Sequence, residues 1–344
     1  MKPIKTAVVG LGMGLNFHIP RIAAHPGFEL TAVCDINEEK LREAGEQYGA
    51  AKYTDYGRML DESGVELVVL ASPTQFHRDH AVAAMERGVD VFLEKPMAKS
   101  LTEAQEIAQV MERTGRRLMI YQPHRTFSDN LAVQDVIRSG LLGRIYLIKR
   151  RNGCFFARTN WQAYYKNGGG TLFNHGSHYI DELLYVSSGK PVKVSCVLVK
   201  VLATGDADDY FKVLITTNTG VLLDAEMSMS AAINQVPWEV YGDRGSAVYT
   251  KDDVGDPLIR VRYFTGDAIE MSKYLPTADV TSTECKDGWA VRDFPLDNYP
   301  AIHIYDKCYE YYAEGKAPFV PVSETLTVME TLERCKAAAG GLLF

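Results

Sequence analysis

Lys5-Thr6-Ala7-Val8-Val9-Gly10-Leu11-Gly12-Met13-Gly14 reads as a short buried strand running into a glycine turn, and a helix pattern follows over about 16–24. Gly10 and Gly12 permit the tight turn and the close backbone approach by which helix N–H groups meet a pyrophosphate, with Met13 and Gly14 completing the turn. The third glycine of a G-x-G-x-x-G pattern would stand at position 15, where the chain has Leu15 with Gly14 beside it, so the turn is a variant. The next strand, 29–34, ends on Asp35, where a carboxylate accepts hydrogen bonds from an adenosine ribose. Its charge repels a 2′-phosphate, and Ile36 and Asn37 follow in place of arginine, which favours NAD over NADP. Asp35 is equally suited to cap a helix over 38–48.

The alternation continues outward with strands near 51–53, 67–71, 89–93 and 117–121 and helices near 56–61, 75–87 and 102–114. Strands that alternate with helices in this way predict a doubly wound parallel sheet, whose ligands lie beyond the carboxyl ends of the strands. Ser72-Pro73-Thr74 ends one strand on that side and is expected to line a cofactor. His77 opens the following helix, either touching the cofactor or standing near solvent as a helix-start histidine. The stretch Val89-Asp90-Val91-Phe92-Leu93-Glu94-Lys95-Pro96 is apolar until it stops on a charged pair and a proline. It delivers Lys95 to the ligand edge, facing the glycine turn; the plainer alternative is a solvated strand end with Pro96 a loop residue.

After Tyr121-Gln122 the pattern changes, which places a boundary between a nucleotide-binding domain, 1–122, and a second domain, 123–344. A helix over 129–139 precedes long strand-like runs at 144–151, 192–202, 210–217, 221–229, 238–241, 247–250 and 258–264, with Asn218-Thr219-Gly220 as a hairpin turn. The expectation is an α/β chain: a Rossmann domain followed by an α+β domain with a large open, mostly antiparallel sheet. A helix over 177–186 covers one face of that sheet only, and a last helix spans 323–339. An uncovered apolar face predicts a homo-oligomer, dimer or tetramer.

The 344 residues are 46% hydrophobic and 24% charged, with a formal charge of −7, which gives no basic footprint for nucleic acid. No run of 18 apolar residues and no signal-like segment is present, so a cytoplasmic protein with no membrane contact is expected. Six dispersed cysteines, none in a Cys-x-x-Cys pair, read as buried thiols in a reducing compartment.

A second motif lies between the two sets of strands: Gly168-Gly169-Gly170-Thr171-Leu172-Phe173-Asn174-His175-Gly176-Ser177-His178-Tyr179-Ile180-Asp181. The glycines let the backbone pass close to a ligand, and Asn174, His178 and Asp181 fall at helical spacing on one side. His175, His178 and Asp181 can also be read as zinc ligands, but no second His or Cys pair supports a metal and none is expected.

The glycine turn, Asp35, Ser72-Pro73-Thr74, Glu94-Lys95-Pro96 and the triple glycine followed by Asn174, His178 and Asp181 together resemble the glucose–fructose oxidoreductase, inositol dehydrogenase and MocA family over essentially the whole chain. Asp208-Asp209-Tyr210-Phe211 and Glu239-Val240-Tyr241-Gly242 look like its scyllo-inositol dehydrogenase branch. The resemblance implies a nicotinamide cofactor and a sugar or cyclitol substrate, with Lys95 and His178 as the catalytic pair. This chain has Asn174 where one common form of the pattern has aspartate. Asparagine cannot take a proton, so His178 is expected to be the acid/base, Lys95 to polarise the reacting oxygen, and Asn174 to orient the imidazole or the substrate. An Asn174→Asp change is therefore expected to raise the pKa of His178. Tyr121, His124, Arg125, Trp161 and Tyr165 flank the motifs and are expected to contact substrate, alongside His178. Two alternatives share the resemblance: a glycosidase that retains NAD and works by transient oxidation, and a non-enzymatic sensor.

Overall fold

The computed structural model describes residues 2–266 and 288–343; Cys285 and much of the loop before the final strands lie outside the described residues. Six parallel strands form the first sheet: β1 (Ile4–Val9), β2 (Phe28–Cys34), β3 (Ala51–Tyr53), β4 (Leu67–Leu70), β5 (Asp90–Glu94) and β6 (Leu118–Tyr121). Their order, β3-β2-β1-β4-β5-β6, reverses between β1 and β4, where a crevice for a ligand opens. All residues of β4 and β6 are buried, as expected for strands covered by helices on both faces.

The glycine turn explains its own variant spelling. Gly10 has φ +89°, and a Cβ there would lie 2.5 Å from Ala71 O and Ser72 N, so the turn closes against the end of β4 only with glycine. A Cβ on Gly14 would lie 2.7 Å from Val8 Cγ1, so Gly14 does the helix-on-strand packing that the spacing rule assigns to position 15. The offset is absorbed by a π-helical turn, Gly14–His18, ahead of the helix Ile19–Ala24. The cap of the next helix, Glu38–Tyr48, is Asn37, whose side chain accepts from the Glu39 and Lys40 N–H groups. Asp35 is thus not the cap that its position allowed.

The second sheet has nine strands in the order β14-β13-β12-β11-β7-β10-β9-β8-β15. They are β7 (Ile145–Gly153), β8 (Pro191–Val199), β9 (Tyr210–Thr217), β10 (Leu222–Ser228), β11 (Trp238–Gly242), β12 (Gly245–Lys251), β13 (Pro257–Phe264), β14 (Trp289–Pro295) and β15 (Leu342–Leu343). β7 with β10 and β8 with β15 are parallel, and the other pairs are antiparallel. Helices Ser128–Arg138, Ser177–Ser187 and Val322–Ala339 pack on this sheet, over residues such as Phe211, Val213 and Ile215 of β9. The opposite face is not the apolar one expected. Lys212 bridges Asp224 at 2.7 Å and Glu226 at 2.8 Å, and Glu239 pairs with Lys149 and Arg151, with Leu214 and Val197 scattered among them. The apolar residues of these runs are mostly the alternate positions that face the helices.

Beyond β14 the helix Ile304–Tyr312 returns to the first sheet. Tyr305 meets Phe92 and Phe28 edge-on, and the Tyr312 hydroxyl accepts the Met119 N–H at 3.0 Å and donates to Val91 O. The boundary expected at 122 therefore separates the sheets in sequence but not their packing. No helix among the described residues is long and apolar enough to cross a membrane.

Candidate active site

A cavity of about 830 Å³ runs along the carboxyl ends of the first sheet. Gly10, Gly12, Met13, Asp35, Ser72, Pro73, Thr74, His77, Glu94, Lys95, Pro96, Trp161 and Asn174 all stand on its wall. Gly14 does not, because it faces Val8. Asp35 accepts the Leu11 N–H at 2.5 Å and the Asn37 N–H at 2.8 Å, which ties the end of β2 to the glycine turn. A Cβ on Gly12 would meet nothing within 4 Å, so the turn leaves open space where a phosphate approaches helix N–H groups. These residues fit a dinucleotide.

His77 is buried, not near solvent. Its ring nitrogens lie 2.8 Å from Ser72 O and 2.9 Å from Pro96 O, stitching together the loops after β4 and β5, and burial lowers its pKa against the pull of those carbonyls. Glu94 is no solvated strand end either. One oxygen meets His18 Nε2 at 3.0 Å and the other accepts the Lys95 N–H at 3.1 Å. Burial alone would raise its pKa, but His18, Lys95 and His77 together outweigh burial and hold it below the ordinary value. His18 in turn meets the Tyr305 hydroxyl at 2.8 Å. Nothing local in the sequence marks His18, whose partners are 76 and 287 residues away.

Lys95, at the cis Lys95–Pro96 bond, donates from Nζ to Asn174 Oδ1 at 2.8 Å and to Asn174 O at 3.2 Å. Burial pulls its pKa down to about 8, with Glu94 opposing. Asn174 thus orients the lysine and not the imidazole, the first of the two roles expected for that side chain.

His178 does not line the cavity and is 6% exposed. Its Nδ1 is 2.8 Å from Gln122 Oε1, and Gln122 Nε2 donates to Ser177 O at 3.2 Å. A carbonyl only accepts, so the Gln122 amide nitrogen must face Ser177 and its oxygen must face His178. Nδ1 therefore carries the proton and Nε2 keeps a lone pair. Burial, with His124 and Lys95 beside it, holds the His178 pKa well below its usual value. The His124 ring stacks on His178 at 3.9 Å and 6°, and meets Glu182 at 3.3 Å. Glu182 also takes Arg150 at 3.1 Å, and these partners hold its carboxyl low despite burial. Gln122, Glu182 and Arg150 were not singled out from sequence.

The remaining candidates divide. Trp161 lines the cavity together with Arg158, Asn160 and Gln162, from a loop that pattern alone could not place. Arg125, 2% exposed, is locked bidentate onto Asp181 at 2.6 and 2.7 Å and onto Glu324 at 2.6 Å, so its donors face carboxylates and not the cavity. Burial works against that charge, but the carboxylates outweigh it and hold the guanidinium above its ordinary value. Tyr121 packs edge-on against His18 and Phe92, and the Tyr165 hydroxyl donates to Asp208 at 3.1 Å; neither is on the wall. His175, His178 and Asp181 do not converge, and no group of three His, Cys, Asp or Glu side chains among the described residues is arranged for a metal.

Comparison with known proteins bears on the fold and the family. Residues 4–122 match the family described as "Oxidoreductase family, NAD-binding Rossmann fold", and residues 130–248 match the "GFO/IDH/MocA C-terminal domain". The chain is 25% identical over 340 residues to the uncharacterized oxidoreductase YdgJ of Escherichia coli, covering 96% of this chain and 94% of the relative. It is 29% identical to the D-glucoside 3-dehydrogenase of Escherichia coli over 196 residues, 56% of each chain. In fold it is similar to an NAD-binding protein from Listeria innocua, with a TM-score of 0.83 at 24% identity over 98% of this chain and 95% of that one. A glycine turn tied to Asp35, a half-buried lysine at the end of β5 and matches to both family domains lead to one assignment: the chain belongs to the GFO/IDH/MocA family of NAD-binding oxidoreductases.

Proposed function

We propose that the chain is an NAD-dependent dehydrogenase or reductase acting at a CH–OH carbon of a sugar or cyclitol. The observation that carries this is the pairing of a half-buried Lys95 ammonium, held by Asn174, with a His178 whose unprotonated ring nitrogen is Nε2. Bound NAD supplies the hydride acceptor for oxidation. Lys95 donates to the substrate oxygen as it gains negative charge, and Nε2 of His178 takes the hydroxyl proton while Nδ1–H stays on Gln122. Reduction of a carbonyl runs the same transfers backward. Asp35, with no arginine beside it on the wall, supports NAD over NADP. A cytoplasmic homo-oligomer belongs to the same reading; what supports oligomerisation is a nine-stranded face with its own charge lattice and, among the described residues, no helix packed on it.

The test is a fluorescence titration of the purified protein with NADH and NADPH, followed by turnover on sugars and cyclitols. Tighter NADH binding with NAD-dependent oxidation is the expected result. Failure to bind either cofactor would overturn the reading, and a cofactor that co-purifies without exchanging would transfer weight to the glycosidase alternative.

Two added carboxylates should separate the two limbs of the pH profile. Oxidation needs neutral His178 and charged Lys95, so kcat/KM rises through the first pKa and falls through the second, near pH 8. Asn174→Asp puts an anion against Nζ and should move the alkaline limb upward. Gln122→Glu puts one against Nδ1 and should move the acid limb upward. Interchanged responses would refute the assignment of the limbs.

A further inference from the structure

The wall that presents Lys95 is short of negative charge. Lys95 Nζ is bonded to two neutral oxygens, both of Asn174. Arg158 reaches the same wall; one guanidinium nitrogen meets the Gln162 amide oxygen, and its Nε is sealed from solvent with no hydrogen-bond partner. Its remaining neighbour of note is the Phe156 ring, 5.6 Å away. Neither cation has a carboxylate at ion-pair distance among the described residues. The two carboxylates on the wall are committed elsewhere, Glu94 to His18 and the Lys95 N–H, Asp35 to the Leu11 and Asn37 N–H groups. The half-buried His175 beside these cations offers no compensation. Burial first, then Lys95 and Arg158, pushes it down to about 3, and its Nδ1 is sealed without a partner.

A buried cation is costly unless an anion or a set of acceptors meets it, so an uncompensated guanidinium on a cavity wall marks where a ligand brings negative charge. We propose that the substrate is an acidic polyol, a sugar acid or carboxylated cyclitol, whose carboxylate pairs with Arg158 while one of its hydroxyls meets Lys95 and His178. This rests on the dehydrogenase reading above. One negative charge is called for and not two, because Lys95 is engaged by the reacting oxygen and Arg158 alone remains to be matched. A planar guanidinium takes a carboxylate through two parallel hydrogen bonds. A neutral sugar would offer the guanidinium hydroxyl acceptors but no charge, and a phosphate dianion would carry one charge too many.

The experiment compares D-glucose, D-glucose 6-phosphate, D-glucuronate and D-gluconate, and myo-inositol beside quinate and shikimate. Turnover with saturating NAD and quenching of enzyme-bound NADH are read in parallel. The expected result is that a carboxylate has the highest kcat/KM of the panel. Arg158→Gln should lower the ratio of carboxylate to neutral kcat/KM by about 10–100-fold, the loss of one charge-assisted contact, through KM and without weakening NADH binding. The proposal is overturned if a neutral or phosphorylated compound is preferred, if no carboxylate quenches NADH, or if Arg158→Gln weakens NADH as much as the carboxylate. That last result would give Arg158 to the cofactor. Carboxylate quenching that depends on Arg158 without any turnover would uphold this inference and overturn the dehydrogenase reading, so the two fail separately.

Discussion

Lys95→Met is expected to lower kcat for alcohol oxidation by about 10²–10³-fold, the loss seen when one preorganised donor is removed from a developing oxyanion. The alkaline limb near pH 8 should vanish with it, since the group that titrates there is gone. Methionine nearly matches the aliphatic stem of lysine, so the wall between Glu94 and Asn174 stays filled and NADH titration should still report a formed cofactor site. Initial rates across a pH series decide the matter. A variant within about threefold of the parent at every pH would remove Lys95 from the chemistry.

The largest effect on stability is expected at Arg125. Asp181 is buried and receives both forked donors of Arg125, so Arg125→Met strands a carboxylate in the interior at a cost of about 3–5 kcal/mol. The guanidinium also lies 4.4 Å over the Tyr185 ring and ties the helix Ser177–Ser187 to Glu324 of the last helix. Adding Asp181→Leu to Arg125→Met should recover much of the loss, because a buried ion pair replaced whole by apolar groups is often close to neutral. Urea midpoints at constant slope measure both steps. A single variant that loses less than about 1 kcal/mol, or a double variant no better than the single, would refute the account.

The elements themselves were largely legible, because a half-buried strand and an amphipathic helix write their period into neighbouring residues. β14 was not: Trp289–Pro295 carries Arg292 and Asp293 at its centre and buries only Phe294 of its seven residues. The helix Ile304–Tyr312 was also missed, since Tyr305 and Tyr312 are buried with hydroxyls bonded to distant groups and give no plain apolar stripe. In the site, motifs placed what lies on the loops after the strands. They could not place Gln122, which acts on His178 56 residues on. Arg125 was misjudged for the same reason. Its type suits a substrate anion, but carboxylates 56 and 199 residues away take its donors first.

The return of the helix Ile304–Tyr312 to the first sheet bears on the order in which the chain matures. His18 and Tyr305 are 287 residues apart, and Val91 and Tyr312 are 221 apart. Synthesis runs from N- to C-terminus, so the first sheet is made well before Tyr305 and Tyr312, two of the tyrosines that seal it. Until they arrive, the Glu94–His18 pair that backs Lys95 lacks its cover, so a sheet made early is closed only by residues made much later.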